Sequence, residues 1–151
     1  MPASCLHMTL VTLGVRDVAR ATAFYEGMGL TKAGFDSADV TFFDMGGTAL
    51  GLYARDALAE DAGIGADGHG FRGITLAWNR PTRADVDAAI ARAVGLGGTL
   101  VKAPAEVFWG GYSGYFADPD GHLWEVAHNP LWPLRDNGAM ELPAPATQKG
   151  E

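Results

Sequence analysis

Cysteine is all but missing from this 151-residue chain, in which Cys5 stands alone. An intramolecular disulfide and a cysteine-rich zinc site are therefore excluded. Long apolar runs are missing too. No stretch reaches the roughly eighteen hydrophobic residues that a membrane-spanning helix needs, and residues 1–9 lack a basic segment followed by a signal core. Positive charge is scarce: eleven Lys and Arg stand against eighteen Asp and Glu, a formal net charge of −7. Binding to phosphates needs a basic face, so neither nucleic acid nor an anionic membrane is an expected partner. The acidity also has an ordinary explanation, since net charge keeps proteins dissolved. These absences together make the cytoplasm the expected compartment.

With 48% hydrophobic and 19% charged residues, the chain suits one compact domain with a substantial core. Its organisation is a repeat. Val11-Thr12-Leu13, followed by Arg16-Asp17-Val18-Ala19, resembles Ile74-Thr75-Leu76, followed by Thr82-Arg83-Ala84-Asp85-Val86. In both places an apolar strand leads into a capped helix. The predicted helices cover residues 17–28, with Asp17 as N-cap, and residues 82–94, where Thr82 and Asp85 form a variant capping box. Val18, Ala21, Phe24, Tyr25 and Met28 fall on one stripe of the first, and Val86, Ala89, Ile90 and Ala93 on one stripe of the second. Later in each half comes a hairpin signal, Gly46-Gly47 in the first and Asp118-Pro119-Asp120-Gly121 in the second. The order is strand, helix, strand, strand, strand, twice. Residues 55–70 read as the connection between the halves, and residues 135–151 as a polar tail that is mobile or draped on the surface.

One charged residue interrupts an apolar strand. Glu125 lies between Leu123-Trp124 and Val126-Ala127. A carboxylate at such a place is costly to bury unpaired, so it marks a site or a strand with one wet face. It is a candidate to accept a proton or a hydrogen bond from a ligand, with a purely structural role as the alternative. A second candidate region is residues 108–115, where Gly110, Gly111 and Gly114 let Trp109, Tyr112 and Tyr115 lie against a guest. Tyr53 and Trp78 complete the expected lining of a small-molecule cavity. Each aromatic, taken singly, serves equally well as core filling.

The segments from Gly14-Val15-Arg16-Asp17 to Phe24-Tyr25, and from Asp118-Pro119-Asp120-Gly121 to Glu125, resemble the vicinal oxygen chelate superfamily of glyoxalase I, bleomycin-resistance proteins and extradiol dioxygenases. The resemblance implies an α+β fold in which two βαβββ modules form an open half-barrel cavity. The implied domain covers residues 6–129, with modules at about 6–54 and 71–129. It also implies four places for metal ligands, one on the first and one on the last strand of each module. Here they fall on Leu10, Gly51, Gly73 and Glu125. Only Glu125 offers a side-chain ligand, so no metal or other cofactor is expected. His69 is too far along an extended chain to replace the missing ligands, while His7 and His122 face away from them.

The expected function is binding of a small organic molecule, in the manner of bleomycin-resistance relatives. Aromatic walls and negative charge suit a cationic guest. Two alternatives stay open: a lyase, isomerase or dioxygenase-like enzyme with an altered metal site or Glu125 as general base, and a non-catalytic interaction module. The resemblance also implies a homodimer, with Leu131 and Trp132 helping to cover exposed apolar surface.

Overall fold

The computed structural model describes residues 5–35 and 37–146. The first module contains β1 (Leu10–Val15), α1 (Val18–Gly27), β2 (Val40–Asp44) and β3 (Ala49–Ala54). A further helix, α2 (Arg55–Ala62), opens the connection, and the second module follows as β4 (Leu76–Asn79), α3 (Arg83–Gly95), β5 (Thr99–Glu106), β6 (Tyr112–Ala117) and β7 (Leu123–His128). Two mixed sheets result, in the orders β1-β3-β2 and β4-β7-β6-β5. In each, the module's first strand runs parallel to its last. This is the α+β architecture of two βαβββ modules, without a closed barrel.

Both predicted helices form where their caps place them. The Asp17 side chain accepts a hydrogen bond from Arg20 N at 3.0 Å, and Thr82 Oγ1 accepts one from Asp85 N at 3.1 Å. The Asp85 carboxylate accepts in turn from the Thr82 hydroxyl at 2.9 Å. Ala21, Phe24 and Tyr25 of α1, and Val86, Ala89, Ile90 and Ala93 of α3, enter one core shared by both modules. At Gly46-Gly47 both residues take positive φ, 80° and 128°, the region that lets a tight hairpin follow the strand twist.

Two elements depart from the sequence expectation. The second strand of the first module is reduced to a single bridge, Lys32 to Phe43. Residues 31–35, Thr-Lys-Ala-Gly-Phe, offer neither alternation nor a run of β-branched residues to sustain more. Conversely, the connection contains α2, which buries none of its residues. Its Ala-rich sequence favours helix without supplying an apolar stripe.

The motifs carrying the resemblance meet in space. The Asp118–Gly121 turn of the second module docks on the β1–α1 corner of the first. Tyr25 donates its hydroxyl hydrogen to Asp118 Oδ2 at 2.7 Å and accepts from Trp124 Nε1 at 3.0 Å. Asp118, 2% exposed, also accepts through Oδ1 from the backbone N–H groups of Asp120 and His122, each at 2.9 Å. Burial and the neighbouring Asp118 charge push the Tyr25 phenol far above its usual range, keeping it a donor. Arg16 N donates to Asp120 Oδ1 at 2.8 Å, and His122 Nε2 lies 2.7 Å from Gly14 O. Because the Asp118 carboxylate is fully engaged, burying it is tolerable.

Candidate functional site

Alternation along β7 sends Trp124 and Val126 into the core and leaves Glu125 on the opposite face, half-buried. The pairing fixes its neighbours: Ala77 of β4 on one side and Tyr115 of β6 on the other. Tyr115 donates to Glu125 Oε2 at 3.4 Å, a long bond. Partial burial, and after it the Glu125 charge, raise the Tyr115 pKa above the ordinary phenol value. The phenol is thereby held as a proton donor facing a carboxylate.

Glu125 opens onto a cavity of about 420 Å³ whose wall includes Trp109, Leu131, Trp132 and Met140, with Asn79 and Asn129 as polar groups. Trp109 comes from the loop between β5 and β6, and its ring lies so close over Gly111 that a Cβ there would run into it. The absence of a side chain at Gly111 is what lets the loop lay this indole down. Met140 arrives from the tail. Residues 133–141 fold back through bonds from Arg135 N to Ala139 O and from Glu141 N to Pro133 O, so this part of the tail is wall as well as drape. Residues 147–151 of the expected tail lie outside the described residues.

The structure gathers only part of the expected aromatic lining. Trp109 and Tyr115 stand with Glu125, whereas Trp78 and Tyr112 do not. Trp78 pairs with Val126 and Tyr112 with His128, which puts both on the other face of the sheet. Trp78 carries the Arg80 guanidinium 4.4 Å from its ring and borders a separate apolar cavity of about 230 Å³ with Tyr25, Met28 and Trp124. Tyr112 donates to Asp87 of α3 at 2.7 Å, under the Arg83 guanidinium. Tyr53, in the first module's sheet, borders a surface groove with Arg16, Asp17 and Val18. The physical reason is the two-residue period of a strand: a shift of one position exchanges faces. Tyr112 and Tyr115 are three apart on one strand, so parity already separates them in the sequence, whereas the face of Trp78 follows from the β4–β7 register. Leu131 and Trp132, expected only as surface cover, prove to be part of the wall.

The first-module counterpart of Glu125 is closed. A Cβ on Gly51 would lie 3.3 Å from Leu10 Cδ1, Phe42 Cε1 and Thr12 Oγ1. Two carbon atoms and a hydroxyl oxygen thus crowd the space that a second carboxylate would need. Among the described residues no three His, Cys, Asp or Glu side chains come together. The divalent metal of the related metalloenzymes does not fit this donor set, because Glu125 would leave nearly the whole coordination sphere to water.

A profile of the Glyoxalase/Bleomycin resistance protein/Dioxygenase superfamily matches residues 6–126. The fold is similar to a glyoxalase-related enzyme from Fulvimarina pelagi, with TM-score 0.83 and 33% identity over 93% of this chain and 100% of that one. It is also similar to a lactoylglutathione lyase from Agrobacterium tumefaciens, with TM-score 0.62 and 27% identity over 87% and 98% of the two chains. An uncharacterised protein of Mycobacterium bovis is 36% identical over 70 residues, 46% of this chain; the match spans 43% of that relative's length. With clasp motifs, paired modules and a profile covering most of its length in agreement, the chain belongs to the Glyoxalase/Bleomycin resistance protein/Dioxygenase superfamily.

Proposed function

We propose that the chain binds a small organic molecule in the Glu125 cavity, and that the bound group nearest Glu125 is cationic or proton-donating. The observation that carries this reading is the position of Glu125: a half-buried carboxylate whose one side-chain hydrogen bond among the described residues is the long one from Tyr115, opening onto a wall of Trp109 and Trp132. A carboxylate with spare acceptor capacity favours an ammonium or amidinium group, and indole faces attract the same charge. Tyr53, Trp78 and Tyr112 have no part in this site; Tyr115 and Trp109 do. We place this activity in the cytoplasm, where a lone thiol such as Cys5 stays reduced.

The working unit proposed is a homodimer. Leu10, Phe71, Ile74 and Leu131 are 42%, 71%, 68% and 71% exposed, apolar surface that a second copy would cover. Native mass spectrometry of protein purified without added metal tests both parts together. It should show a dimer, no stoichiometric metal, and a mass gain on addition of arylammonium ions. A monomer at micromolar concentration would remove the dimer, and zinc or nickel lost in Glu125→Ala would replace the binding reading with a metal site.

The Tyr115–Glu125 pair supports one second reading, catalysis in which Glu125 takes a proton from substrate and the neutral Tyr115 phenol steadies the charge left behind. Turnover of a bound ligand that ceases in Glu125→Gln, with binding retained, would favour it.

A further inference from the structure

The connection between the modules carries arginines that the Glu125 site does not use. Residues 66–72 run past the docked turn of the second module and enclose with it a cavity of about 560 Å³, lined by Arg16, Arg55, Arg72, His69 and Asp120 among others. Arg55 anchors the segment, donating from Nε and Nη2 to Ala66 O at 3.1 and 2.8 Å and from Nη2 to Gly68 O at 3.3 Å. Arg16 donates from Nη2 to Pro119 O at 3.0 Å and from Nε to Asp120 Oδ1 at 3.3 Å. Arg72 lies across Gly68, where a Cβ would collide with its guanidinium, and makes no side-chain hydrogen bond among the described residues. Three guanidinium groups thus line one pocket of a chain whose net charge is −7.

The one carboxylate in the lining does not cancel them. The Asp120 side chain is 4% exposed and sits under Arg16 and Arg20, both of which it accepts from through Oδ1. Oδ1 is thus shared by two arginines, while Asp120 Oδ2 is buried without a hydrogen-bond partner among the described residues. Arg72 and the uncommitted Nη1 groups of Arg16 and Arg55 are left to attract a guest. Asp120 sets one negative charge against the three guanidinium groups of the lining, which leaves an excess of positive charge, and guanidinium forks match the oxygen spacing of carboxylates and phosphates.

We infer that this pocket is an oxyanion site, separate from the Glu125 cavity, which takes the carboxylate or phosphate group of a small molecule through Arg16, Arg55 and Arg72. The test is an NMR titration with inorganic phosphate and, separately, with succinate, each against sodium chloride at matched ionic strength. Saturable shifts should be confined to the amides of Gly68, Gly70 and Gly121 and the Nε–H groups of the three arginines. Saturation by phosphate alone would assign the site to phosphoryl groups, by succinate alone to carboxylates, and either result upholds an oxyanion site. Arg72→Gln, which removes no bond that holds the fold, should weaken the saturating anion at least about tenfold. Arg55→Lys should weaken it as well, because an ammonium lacks the fork. Shifts that follow ionic strength equally in chloride, or an unchanged dissociation constant in Arg72→Gln, would overturn the inference.

Discussion

The two modules share one plan and treat the same position in opposite ways. On the last strand of the first module, Gly51 lies between Thr12 and Phe42, with Leu10 closing over it. On the last strand of the second, Glu125 lies between Ala77 and Tyr115 and faces open space. Each position has a small neighbour on one side, Thr12 or Ala77, and an aromatic on the other, Phe42 or Tyr115; the difference is the glycine of the first module against the carboxylate of the second. The contrast separates a position that packing crowds from one that is left open to a cavity. The first half spends its inward face on packing, and the second keeps a cavity at the cost of an incompletely satisfied charge.

The largest expected effect comes from trying to make the halves alike. Gly51→Glu would crowd Leu10, Phe42 and Thr12, whose atoms would lie 3.3 Å from the new Cβ, and should destabilise by roughly 3–4 kcal/mol through overpacking and partial desolvation of the carboxylate. Glu125→Ala should cost about 1 kcal/mol or less, since no buried partner is orphaned. Urea unfolding of both variants checks the asymmetry; equal losses would erase it. Next in size is the clasp that holds the halves in register. Asp118→Ala removes the acceptor of Tyr25 Oη and of two backbone N–H groups, and a loss of about 3 kcal/mol is expected by the same measurement.

A smaller effect tests the pair at the site itself. The Tyr115 pKa is raised by burial first and by Glu125 second, so Glu125→Gln should bring it partway back toward the ordinary phenol value. Ring resonances followed through alkaline pH would show the shift. The sign for stability follows: a pKa raised in the folded state contributes stability that is complete below the unfolded tyrosine value of about 10 and is lost as pH rises through the folded value. The parent should therefore lose more stability than Glu125→Gln across that alkaline window. An unmoved Tyr115 titration would show that the 3.4 Å contact carries no coupling.

The architecture was legible because it is written twice. Asp17 and Thr82 announce the helices, the glycine turns announce the hairpins, and each half corroborates the other. What escaped lacked such duplication: α2 has helix-favouring alanines but no buried stripe, and Lys32 makes one bridge where the other half has all of β5. That Glu125 and Trp109 share a cavity is foreshadowed by a charge in an apolar strand and an aromatic beside glycines; that they hold a ligand is proposed. Tyr112 falls on the face opposite Tyr115 by strand parity, which the sequence contains, whereas the face of Trp78 depends on how β4 pairs with β7, which it does not. Met140 and the arginines of the connection were not readable. They reach their places through tertiary folding of segments without periodicity.

The central claim is that Glu125 recognises charge in a cavity walled by tryptophan. Trp109 and Trp132 make their own fluorescence the reporter, so the direct measurement is a titration with benzylammonium and with neutral benzyl alcohol, in the parent and in Glu125→Gln. The parent should bind the ammonium more tightly than the alcohol, and Glu125→Gln should lose roughly 1.5–3 kcal/mol of ammonium binding while the alcohol is unaffected. Equal affinity for the two guests, unchanged in Glu125→Gln, would contradict the account and leave the indole wall as the whole of the recognition.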